Sequence, residues 1–169
     1  FWNYLKINGN QKNSNEINIF IPLTFSVLVF SQIVIGAFVS GMDAGKIYNS
    51  WPLMGETYFP SDNSLSNLLK LSAFSDPSLV QFLHRNLAYI ITIFYLYILF
   101  KIYKERIYLL YKSIGFLGFF IFLQIVLGVL TVLHGAQLYL AAMHQLSSVF
   151  LVSASVYFLF INQKSTQLL

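Results

Sequence analysis

An all-α integral membrane four-helix bundle, built from two helical hairpins related by a pseudo-two-fold axis, is the fold this chain predicts. Three observations carry it. Hydrophobic residues make up 57% of the 169 and charged ones only 9%, which is a membrane balance. The apolar residues gather into four windows that carry almost no charge, each close to the roughly 20 residues a helix needs to cross a bilayer core. Finally, the first and third windows share the run Gln-Ile-Val-Ile/Leu-Gly, in "FSQIVIGAFVSG" from Phe30 and "FLQIVLGVLTVL" from Phe122.

The elements follow in order. Residues 1–18, with "KINGNQKNSNEIN", are polar and Asn-rich and read as a lead-in without assigned chemistry. Helix α1 is predicted over residues 19–41, free of charge from Ile19 to Gly41. Residues 42–78 form a long outer loop containing Pro52, Pro60 and Pro77, a length that marks a functional or disordered connection. Its Tyr48, Trp51, Tyr58 and Phe59 suit headgroup depth, so the loop reads as an interfacial cap, with a ligand-lining role left open. Helix α2 is predicted over 79–101, with His84 and Arg85 near its start. Helix α3 is predicted over 113–133 without charge, and α4 over 138–161 with only His144. Residues 162–169 are read as a tail.

Lys and Arg are distributed unevenly between the two sides. Lys6, Lys12, Lys101, Lys104, Arg106, Lys112 and Lys164 lie on one side, against Lys46 and Lys70 in the outer loop. This bias places both termini and the α2–α3 connection on the cytoplasmic or equivalent side. The net charge of +4 is therefore a topology signal; the basic residues are too scattered to form a nucleic-acid surface, and no nucleic acid is expected as a partner. With no cysteine there is no thiolate ligand, thiol nucleophile or disulfide, so redox chemistry would need a bound cofactor. The chain starts at Phe1 rather than Met, as a piece of a longer protein would.

The shared run makes Gln32 correspond to Gln124 and Gly36 to Gly128. Each copy is followed by a helix with one histidine near its outer end, in "LHRN" and "MHQL". Both hairpins run in the same sense, which makes this a parallel repeat. If α2 enters near Ser78 and α4 near Leu138, His84 and His144 each lie six residues in, roughly 9 Å deep. Equal depth on helices of the same direction sets the imidazoles opposite one another.

Titratable groups inside a membrane span are costly and mark sites by default. Two imidazoles with no carboxylate or thiolate beside them suit the axial positions of haem iron better than zinc, which wants four ligands. His134 could supply a third ligand, but nothing supplies a fourth; at the end of α3 beside Gly135 it reads as an interfacial cap. Arg85 suits pairing with a propionate at the outer edge. Ala88, Ala141 and Ala142 leave room for a flat macrocycle. The plainer reading of any single membrane histidine is an interhelical hydrogen bonder, worth about 0.6 to 2 kcal/mol; the matched pair is what favours ligation. Gln32 and Gln124 read as packing hydrogen bonders, Gly36 and Gly128 as close-packing points, and Asp43 and Glu56 as solvated loop acids, Glu56 with a proton-handling role left open.

The segments "GAFVSGMDAGKIYNSWPLMGE" from Gly36, "VQFLHRNLAY" from Val80, "LQIVLGVLTVL" from Leu123 and "LAAMHQLSS" from Leu140 resemble the carboxy-terminal half of haem A synthases (the COX15/CtaA family), in the group shared by alphaproteobacteria and mitochondria. The resemblance runs from about Ile19 to Ile161. It implies eight spans in two four-helix halves that oxidise the haem O methyl group to the haem A formyl group for cytochrome oxidase assembly. It also implies that this half carries haem b, with axial ligands at His84 and His144. The second histidine pair and the glutamate at the substrate haem belong to the other half and have no counterpart here, so no catalytic residue is assigned.

The expected partners are haem O in the other half, membrane lipid and an electron donor of unspecified identity, with a homo-oligomer left open. The expected location is the bacterial inner membrane or the mitochondrial inner membrane. Two rivals stand beside this reading: a non-catalytic haem-b electron-transfer module, and a structural or transport bundle whose histidines only bridge helices.

Overall fold

The computed structural model describes residues 16–167. The lead-in up to residue 15, with Lys6 and Lys12, lies outside the described residues, as do residues 168–169 and the side chain of Lys164. The protein is all-helical: α1 is Phe20–Gly41, α2 Pro77–Lys104, α3 Tyr111–Leu133 and α4 Leu138–Gln167. All four helices are long and apolar enough to cross a membrane. Among the described residues the only extended pairing is an isolated bridge between Met54 and Thr57.

Two helices outrun their apolar windows. The start of α2 is set by Asp76 as N-cap and Pro77 in the first position, where proline's missing N–H costs nothing. Its end reaches Lys104, because Lys101 and Lys104 favour the negative end of the helix dipole and Lys101 pairs with Glu105 at 2.6 Å. Helix α4 continues beyond residue 161 through polar residues.

The Asp76 cap yields a prediction. Burial acts to raise its carboxyl, but hydrogen bonds from the Asn63 side chain, the Leu79 N–H and Ser78 outweigh it and hold it below the usual 3.8. These bonds measure 2.9 Å, 3.1 Å and 2.8 Å. A lowered native value means the cap's contribution is complete above pH 3.8 and is lost as pH falls through the lowered value. Asp76→Ala is expected to remove that acid dependence and to cost about 1 kcal/mol. Hydrogen exchange in the first turn of α2, followed against pH, measures both.

The tightest packing is within the hairpins, α1 against α2 and α3 against α4; α1 also packs on α4, and α2 meets α3 more sparsely. The α3–α4 link is short because α3 ends in a six-to-one turn: Ala136 N–H donates to Thr131 O at 2.8 Å and Gly135 N–H to Val132 O at 3.1 Å. Gly135 takes the left-handed conformation this turn needs, at φ 64°.

The closely packed core fills the half of the bundle away from the long loop. Phe25, Val29, Ile98, Ile114, Leu117, Ala154 and Phe158 are all within 1% of complete burial there. The Asn162 side chain donates to Ile17 O and accepts from Ile17 N–H, both at 2.9 Å, joining the start of α1 to the end of α4. Outward faces are apolar, with Phe20, Ile93, Phe100, Phe122 and Leu146 more than half exposed, as suits contact with lipid chains. The other half contains the histidines and is roofed by the long loop.

Candidate functional site

Helices α2 and α4 bring His84 and His144 together edge to face, with ring centres 6.4 Å apart and planes crossed at 83°. Both residues are half-buried, yet each Nδ1 is sealed from solvent without a hydrogen-bond partner. Orphaned polar atoms of this kind are rare and call for an explanation.

The neighbouring helix supports each ring in the same two ways. The Gln32 Nε2 of α1 donates to His84 O at 3.0 Å, and the Gln124 Nε2 of α3 donates to His144 O at 3.0 Å. One turn further, a Cβ added at Gly36 would stand 3.1 Å from His84 Cε1, and one at Gly128 would stand 3.1 Å from His144 Cε1. A Cβ at either position would be tighter than ordinary van der Waals contact, so the ring would have to give by a few tenths of an ångström. The second contact of each glutamine differs: Gln32 Nε2 meets His84 Nε2 at 3.2 Å, whereas Gln124 Nε2 bonds the Ser147 hydroxyl.

Arg85 is buried and faces the loop. Its Nη1 donates to Ser50 O at 2.9 Å and Leu53 O at 3.1 Å, and its Nη2 donates to Tyr48 O at 2.9 Å. Gln81 adds a second donor to Tyr48 O at 3.0 Å. Tyr58 reaches Asn86 at 2.6 Å, and Asn49 ties the loop to Val132 O on α3 at 3.1 Å. The roof is thus fastened to both hairpins. Arg85 Nε and the Tyr89 hydroxyl are buried without partners, and both residues line a small pocket with Met54 and Phe82.

The remaining sequence candidates stay apart from the pair. His134 is the exposed cap of α3, with Nδ1 2.9 Å from Leu130 O, and Glu56 is exposed on the loop. Among the described residues no three His, Cys, Asp or Glu side chains gather to hold a metal, so the donor set for tetrahedral zinc is lacking. Two nitrogens remain. A metal–imidazole bond is about 2 Å and the ring centre lies about 1 Å behind its nitrogen, so two imidazoles on one metal axis have centres roughly 6 Å apart. The observed pair fits that spacing, and crossed planes are compatible with a shared axis.

Sequence reasoning missed Ser147 and the loop carbonyls. Ser147 lies one turn beyond His144, a spacing that could have marked it; backbone acceptors leave no mark in residue type.

Four apolar helices around an interior imidazole pair define a multi-pass membrane protein with a histidine site in the half of the bundle that bears the long loop. The family model COX15-CtaA, described as cytochrome oxidase assembly protein, matches residues 1–156. The chain belongs to this family. The "Heme A synthase" of Pelagibacter ubique (strain HTCC1062) is 40% identical over 166 residues, covering 98% of this chain and 48% of that protein. Those of Rickettsia bellii (strain OSU 85-389) and Rickettsia africae (strain ESF-5) are 35% and 33% identical, covering 85% and 86% of this chain and 44% of each relative. The chain thus spans about half the length of the curated relatives it matches. No solved structure matches it.

Proposed function

We propose that His84 and His144 are the axial ligands of a haem b, and that the chain is the cofactor-binding half of a haem A synthase, which oxidises the haem O methyl group to a formyl group. The paired imidazoles, 6.4 Å apart and with no third metal-binding side chain gathered beside them among the described residues, carry the reading; the printed names of the relatives supply its direction. Bound haem iron would supply reversible one-electron redox chemistry, and with no cysteine the chain has no thiol to take that part. The two histidines hold and orient the group, and the apolar helices keep bulk water from it. Arg85 fastens the loop over it, and its unpartnered Nε is the donor left for a propionate.

The test is reconstitution of the purified chain with haem b in detergent. One haem per chain with a six-coordinate low-spin spectrum is expected. A high-spin spectrum, or no Soret band, would overturn the ligand assignment and leave a bundle whose histidines only bridge helices. Co-assembling the chain with the complementary half of a relative, then adding haem O and following the pyridine haemochrome for formyl formation, separates synthase from electron carrier, since a carrier binds haem without changing the substrate.

A further inference from the structure

The two histidines are seated alike but not identically. In each hairpin a glutamine and the glycine four residues later share one helix face. The amide grips the carbonyl of the histidine on the neighbouring helix, and the glycine admits its ring. The histidine carbonyls can only accept, so the amide nitrogen of each glutamine must be the atom facing them. Gln32 therefore also presents an N–H, not an oxygen, to His84 Nε2 at 3.2 Å. An amide nitrogen cannot accept a hydrogen bond, so His84 Nε2 is the acceptor and its ring proton sits on Nδ1. Gln124 makes no such contact, its second N–H being taken by Ser147.

We propose that Gln32 with Gly36, and Gln124 with Gly128, are positioning residues that set the depth and rotation of the two imidazoles. In the haem-free chain Gln32 additionally holds the Nε2 lone pair of His84 and so fixes its tautomer; that bond has to open before Nε2 can take iron, so the two imidazoles are unequal as ligands. The consequence for haem rests on the ligand reading above; the tautomer does not. Residues that orient metal-ligating histidines typically account for roughly 10- to 100-fold in affinity, and that loss is expected for Gln124→Met, which keeps length and removes the donor; Gln32→Met removes the same carbonyl grip but also frees the Nε2 lone pair for iron, so its loss is expected to be the smaller of the two.

Two readouts test the proposal. The first is nitrogen NMR of the histidine rings in protein prepared without haem. Wild type is expected to show His84 as the Nδ1–H tautomer, and Gln32→Met to shift the His84 ring nitrogens while Gln124→Met leaves them in place. The second is electron paramagnetic resonance of the haem-loaded protein. Gly36→Ala and Gly128→Ala are expected to move the low-spin g values, because a Cβ at 3.1 Å turns the ring; Gly115→Ala, where a Cβ meets nothing within 4 Å, is expected to leave them unchanged. Low-spin haem in wild type with g values and affinity unmoved by all four cradle variants would overturn positioning and leave the ligand assignment standing. If wild type takes no low-spin haem, the ligand reading fails, and the NMR result alone decides: a His84 protonated on Nε2, or ring shifts indifferent to Gln32→Met, overturns the proposal.

Discussion

His84→Ala and His144→Ala are each expected to abolish the six-coordinate low-spin haem spectrum, while His134→Ala leaves it intact. Either alanine removes one of the two paired imidazoles, and among the described residues no three His, Cys, Asp or Glu side chains gather to offer a replacement. The loss of haem affinity should exceed the roughly 100-fold seen when only an outer-shell partner is changed. His134 lies at the exposed end of α3, bonded to Leu130 O, and its removal should change only a helix end. His84→Met is the sharper control: a thioether can ligate iron in place of imidazole and raises the potential. It is expected to restore six-coordination with a higher midpoint, which a histidine acting only as an interhelical bridge would not do. Optical titration with haem b and a redox titration of each variant check these outcomes.

Arg85→Ala is expected to release the outer loop without unfolding the bundle. The guanidinium is the shared donor to the carbonyls of Tyr48, Ser50 and Leu53, and neither ion pair identified among the described residues involves it. Hydrogen bonds to charged groups contribute about 1.5 to 3 kcal/mol each, and three sharing one side chain are not additive. A local loss on the order of 3 kcal/mol follows, roughly a hundredfold in the opening equilibrium of residues 48–53. Hydrogen exchange of that segment measures it. Arg85→Lys should recover only part of the protection, because an ammonium is a point charge without the planar fork that reaches three acceptors. Faster exchange spread evenly through the four helices would instead mean that Arg85 supports the bundle as a whole.

The histidine pair was legible before the structure because depth along a helix is simple arithmetic, and both helices enter from the same side. Its seating was legible only in part. Gln32, Gly36 and their counterparts stood out as a repeated run, but nothing in residue type says that an amide on α1 will meet the backbone of α2 rather than a side chain. The Arg85 clamp was hidden for the same reason. Its partners are carbonyls 32 to 37 residues away, and every residue has a carbonyl. Asn162 and Ile17 lie 145 residues apart, and their clasp depends on how closely the ends of α1 and α4 approach.

The sequence by itself determined the class, the four spans and the candidate ligand pair, because hydropathy is a local sum and a charge-poor window of about 20 residues has few alternatives in water. The tertiary structure decided which atoms complete the site: the 6.4 Å between the rings, the glycine contacts, the unequal glutamines and the roof held by Arg85. Those depend on distances between helices, set by how side chains interlock across the bundle, and no stretch of one helix contains that information.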